Sequence, residues 1–155
     1  MSFAPVLGID PTAVSDAGDF RLGQHGAVID SPSKLYKYVQ YDTGSAGAAA
    51  VAGEVAYYYT LDGYKNNQVT SDLSDSVEIG AGVLQAVMTD GQFGWIQIRG
   101  AAILTIALTA GADGDPLTPT GSADGTLDVS SAATDNVCAI AGDISDKEII
   151  CTFPD

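Results

Sequence analysis

The sequence predicts an all-β protein. It reads as one domain, a β-sandwich or β-barrel of short antiparallel strands, preceded by an extended N-terminal arm. Three observations carry this. Eight or more short runs with strand chemistry recur at 8–15-residue spacing. The 20 acidic residues are almost all Asp, with Glu only at 54, 78 and 148; Asp belongs in turns and caps, Glu on helix faces. The chain carries 18 glycines and shows no amphipathic helical repeat of useful length. At 155 residues it suits a single domain with enough core to fold without staples.

Residues 1–26 (MSFAPVLGIDPTAVSDAGDFRLGQHG) have two prolines, four glycines and no clear period. They read as an extended arm, with Phe20–Leu22 able to pair as a short strand. Phe3, Val6, Leu7 and Ile9 are apolar side chains a free tail would not use, so the arm is expected to lie on something. Residues 27–155 form the β domain. AVID (27–30) is short, and KLYKYVQY (34–41) has the Tyr and Val of a strand. TGSAGAAAVAGE (43–54) is low-complexity and fits either a loop or a flat strand. EVAYYYTL (54–61) is a strand and DGYKNNQ (62–68) a turn. VEIGAGVLQAVMT (77–89) reads as a strand with a glycine kink. TDGQ then turns the chain so that 83–89 and 93–99 make a hairpin. AILTIALT (102–109) alternates, with Leu104, Ile106 and Leu108 on one face. After a turn-rich connection over 111–126, LDV (127–129), NVCAIAGDI (136–144) and EIICTF (148–153) complete the set.

Charge excludes several functions. The net charge is −14 with only six basic residues, Arg21, Lys34, Lys37, Lys65, Arg99 and Lys147. No cluster of cations is present to displace counterions from phosphates, so nucleic acid and anionic membranes are not expected partners. No run is apolar and long enough to span a bilayer, and the N-terminus lacks the pattern of a signal peptide. The lone histidine, His25 in GQHG, reads as a loop residue, with no second ligand or catalytic partner beside it. Nucleophile-elbow, P-loop and dinucleotide motifs are absent. ADGD (112–115) and SADGTLD (122–128) have the oxygen-rich spacing that Ca²⁺ uses, without the EF-hand order, and read as structural turns. No catalytic residue, metal or cofactor is expected. Cys138 and Cys151 read as reduced, half-buried thiols of a protein made in cytoplasm.

The aromatic residues raise a different question. All seven tyrosines lie between Tyr36 and Tyr64, and YYY (57–59) puts rings on both faces of one strand. In FGWIQIRGAA (93–102), Ile96 and Ile98 point one way and Phe93, Trp95, Gln97 and Arg99 the other. That second face is too aromatic for plain surface and too polar for plain core. Two readings remain: amphipathic rings on the surface of a sandwich, or a face covered by a neighbouring subunit. The second nominates Tyr57, Tyr59, Trp95, Gln97 and Arg99, with Phe3, Val6, Leu7 and Ile9 of the arm, as interface residues.

The combination of an N-terminal arm, a Tyr-rich strand ending in VQ (YKYVQY), an alanine/glycine segment leading to GEVAYY, and GQFGWIQIRG at 91–100 resembles the small head decoration, or capsid cement, proteins of tailed bacteriophages. FGWIQ is the most specific element, and the resemblance covers most of residues 15–153. It implies an all-β protein, without catalysis, on the outer surface of the virion capsid. It implies the major capsid protein as partner, and a homotrimer at three-fold and quasi-three-fold positions. On this reading residues 1–20 cross onto the capsid or a sister subunit, because added strands satisfy main-chain groups across a joint. The alternatives are a carbohydrate-binding or host-adhesion module of a phage fibre or cell surface, and a small β-barrel enzyme using paired carboxylates.

Overall fold

The computed structural model describes residues 4–60 and 62–155, apart from the side chains of residues 31 and 32. It is all-β. Its strands are β1 (Val6–Leu7), β2 (His25–Val28), β3 (Ser31–Tyr41), β4 (Val55–Tyr59), β5 (Gln68–Thr70), β6 (Ser76–Leu84), β7 (Phe93–Ile103), β8 (Pro116–Thr118), β9 (Asp128–Val129), β10 (Ala139–Asp143) and β11 (Glu148–Thr152). A single helical turn, α1 (Gly63–Asn66), occupies the predicted DGYKNNQ turn.

Five strands close a small barrel in the order β3-β5-β4-β6-β7, with β7 returning to pair with β3. β3 and β7, each 11 residues long, extend beyond it. β7 carries the run β11-β10-β8-β9 on one side, and β3 carries β2 and β1 on the other. Barrel closure removes the long unpaired edges that an open sheet would present.

Two pairings depart from the antiparallel expectation. β3–β5 and β1–β2 are parallel. β5 lies two chain reversals after β3, the 42–54 loop and the turn at 62–67, so it runs the same way. The predicted hairpin is also shorter than expected. Only Val83↔Gln97 and Leu84↔Ile96 pair, and residues 85–89 leave the sheet. Met88 turns into the core, and the arm takes the vacated edge of β7. There Ser15 and Phe93 exchange N–H···O bonds of 3.0 and 2.8 Å. The 43–54 segment is a loop. The strand predicted at 102–109 is not separate: β7 runs through Gly100 to Ile103, and 104–109 are irregular. The alternation there survives as burial alone, with Leu104 buried and Ile106 and Leu108 half-buried.

The barrel interior holds Val39, Tyr41, Val83, Ile96, Ile98 and their neighbours. Cys138 and Cys151 join this cluster as free thiols, fully buried where the sequence implied half-burial. One cation sits inside. Lys37 is 4% exposed, and its Nζ donates to the Tyr58 hydroxyl at 2.6 Å. Burial pulls the Lys37 amine from 10.5 to about 8, and the positive charge of Arg99 adds to this while Asp155 opposes it. The folded chain therefore binds fewer protons here than the unfolded chain between pH 8 and 10.5, so this group makes stability rise with pH across that window. At pH 7 its charged form is a cost of about 3 kcal/mol. Lys37→Met with Tyr58→Phe, which leaves no orphaned hydroxyl, is expected to stabilise the protein by about 1–3 kcal/mol at pH 7. Urea melts at several pH values check this: the advantage should shrink between pH 8 and 10.5.

Candidate docking surface

The outer face of β7 is divided along its length. Its first half is covered by the chain itself. Trp95, 1% exposed, packs with Ile9, Tyr36 and Tyr38 in a second core outside the barrel, flanked by Val6, Leu22, Val28 and Phe93. Phe20 closes it, with its ring centroid 5.0 Å from Trp95 and 5.3 Å from Tyr38. These tilted and edge-on contacts are preferred by aromatic quadrupoles. Gly26 makes the close approach possible: a Cβ there would stand 2.8 Å from both the Trp95 ring and Ile9 Cδ1. The arm is tied down by β1–β2 pairing and by Gly8 and Ile9 N–H bonds to Ala27 O.

The residues nominated from the sequence for an interface lie in different surroundings. Phe3 lies outside the described residues. Ile9 and Trp95 are buried between the arm and the sheet, and Gln97 is buried too, donating to the carbonyls of Arg99 and Ala101 at 3.0 Å. Tyr57 is buried because the 122–126 segment covers its strand; its hydroxyl donates to Thr126 O and accepts from Thr126 N. Tyr58, on the opposite face, meets Lys37. The second aromatic face therefore has its cover within the chain. Val6 and Tyr59 are half-buried, and Leu7 is exposed. Arg99 is held by Phe153 O, Ile98 O and, at 2.9 Å, the Asp155 carboxylate.

The second half of that face is bare. Cross-strand register places Ala101 of β7 beside Ile150 of β11, Ile150 beside Ile140 of β10, and Ile140 beside Pro116 of β8. All four are exposed, with Ile150 at 38% and Ile140 at 42%. Two residues further along β7, Ile103 is 58% exposed. Val137 and Ile144, flanking β10, are exposed as well. The row Ala101–Ile150–Ile140–Pro116 contains no charged residue, although the chain's net charge is −14. Glu148 lies to one side, close over Gly142.

A solvated sheet face is ordinarily polar, and a contiguous apolar patch on one marks an interaction site. Edge pairing is a weaker option here. The terminal strands β1 and β9 have two residues each, too few for an added strand to gain much main-chain bonding. The bare row was visible in part beforehand. EIICTF has Ile149 and Ile150 side by side, so one must face out; in AIA (139–141) the small residues are buried and Ile140 is exposed.

The Asp turns serve the backbone. Asp113, Asp115 and Asp124 accept from the N–H groups of Ile144, Ala112 and Leu73 at 2.8–2.9 Å. Among the described residues, no three His, Cys, Asp or Glu side chains come together as a metal site, and no helix is long and apolar enough to cross a membrane. Comparison with protein-family models, curated proteins and solved structures returned no match to this chain.

Proposed function

We propose that this is a structural virion protein, which binds the outer surface of an assembled phage head and stabilises it. The observation that carries the reading is the uncharged apolar row Ala101–Ile150–Ile140–Pro116, left bare along four paired strands of a strongly acidic β domain. The acidic surface suits the outside of a head and not its DNA-lined interior. The partner is the major capsid protein, with three copies of this chain meeting at three-fold and quasi-three-fold positions. In this account the arm braces the domain from within, and the docking surface is the β7–β11–β10–β8 face.

Light scattering on the free protein, followed by titration onto expanded heads lacking it, tests the reading. Saturation at a fixed stoichiometry with a raised head melting temperature is the expected result. A protein that leaves heads unbound and their melting unchanged would remove it.

A further inference from the structure

A cleft of about 380 Å³ opens between α1, β6, the 135–138 segment ahead of β10, and Pro154 after β11. Tyr64, Ile79, Val137 and Pro154 wall it, and Asp135 and Asn136 supply polar side chains. Asp135 is the one charged residue among its described lining. Val137 is exposed and also flanks β10, so the cleft adjoins the docking face. We infer that this cleft takes an arginine side chain of the partner to which that face binds. The inference rests on the docking reading above.

Charge selects the sign of the occupant. Asp135 Oδ2 accepts from the N–H groups of Ser131 and Ala132, both at 2.9 Å, and from Ser130 Oγ at 3.1 Å. The main-chain bonds from Ala132 and Ser131 hold its carboxyl below the usual range, so it is ionised at neutral pH. Its Oδ1 accepts no hydrogen bond from a described residue, and no described cation pairs with it. Asn136 Nδ2 donates to Glu78 O at 3.4 Å, which leaves the carboxamide oxygen as a second acceptor beside the carboxylate. The net charge of −14 draws a cation towards the site from a distance.

The walls select a guanidinium on an aliphatic stem. Tyr64 is 53% exposed, and its ring is braced edge-on against Tyr58 with centroids 5.0 Å apart. It is therefore a fixed aromatic surface on which a planar cation can lie. Ile79, Val137 and Pro154 offer apolar contact to the methylenes of the stem. The five donors of a guanidinium can be shared between the Asp135 carboxylate and the Asn136 oxygen, and it sheds water more readily than an ammonium does. The volume stands at the low end for small-ligand clefts, which fits one long side chain. Arginine is also a preferred anchor where a pocket opens beside an apolar contact face.

The test is a two-dimensional amide NMR titration of the whole chain with n-butylguanidinium, n-butylammonium and the neutral n-butylurea. Butylguanidinium is expected to shift the amides of residues 64, 79–80 and 135–138, weakly and saturably. Butylammonium should bind about threefold less tightly and butylurea less tightly still, and added salt should weaken the two cations alone. Tyr64→Leu, at an exposed position, keeps an apolar wall and should lower guanidinium affinity about threefold. Asp135→Asn keeps an oxygen to accept from Ser131 and Ala132 while removing the charge, and should lower it by about the same factor. Both variants should weaken head binding about threefold as well, with melts showing that each is folded. Equal binding of butylurea would overturn the cation, and equal binding of butylammonium would overturn the arginine. Heads that bind both folded variants as tightly as wild type would overturn the role of the cleft in docking. Absence of shifts while heads still bind would overturn the cleft and leave the docking reading standing; shifts without head binding would overturn the docking reading and keep the guanidinium site.

Discussion

Trp95→Ala is expected to cost about 3–5 kcal/mol, a large share of the 5–15 kcal/mol that ordinarily separates folded from unfolded chains. The indole is the centre of the outer core. Ile9, Tyr36 and Tyr38 pack with it, and Phe20 lies 5.0 Å away. Removing it leaves a cavity between arm and barrel that the rigid sheet beneath cannot close. The arm should then loosen, because β1 holds only two pairing positions and the other ties are isolated hydrogen bonds, from the Gly8 and Ile9 N–H groups to Ala27 O, between Ser15 and Phe93, from Gln92 to Asp16 and from the Asp19 N–H to the Tyr38 hydroxyl. Denaturant melts give the stability loss, and limited proteolysis within residues 5–20 reports the loosening. Deleting residues 1–20 is expected to act in the same way, with Trp95 fluorescence moving to the red as water reaches the ring. A loss under about 1 kcal/mol with the arm still protected would show that the outer core does not hold it.

The second large effect is on binding. Ile140→Lys combined with Ile150→Glu places a charged pair at directly opposed cross-strand positions, in the middle of the bare row. Opposite charges at such positions are tolerated by a sheet, and both sites are exposed, so stability should change by about 0.5 kcal/mol or less. Binding to heads should fall at least about 100-fold, since central apolar anchors each contribute about 2 kcal/mol or more to an interface of this kind. Sedimentation of heads with labelled protein measures it. Unimpaired binding by a variant with the wild-type melt would transfer the docking function to another surface.

The sequence by itself determined the fold class and the places where strands occur. Alternating or β-branched runs bounded by Gly and Asp turns are local signals, and β3, β4, β7, β10 and β11 fall where those runs stand. It also singled out the face of FGWIQIR as too aromatic for plain surface and too polar for plain core. What it could not decide was the identity of the cover. Which surface the arm reaches depends on the path of the chain through residues 8–24, and nothing local encodes that path. The same holds for the parallel partners of β3 and β2, for the early exit of β6 at Leu84, and for the loop that covers Tyr57. Only the folded chain shows that Trp95, Gln97 and Tyr57 are covered from within, while Ile140 and Ile150 are left uncovered. A period of two says that neighbouring residues face opposite ways; only the packing of distant segments says which of the two faces meets water.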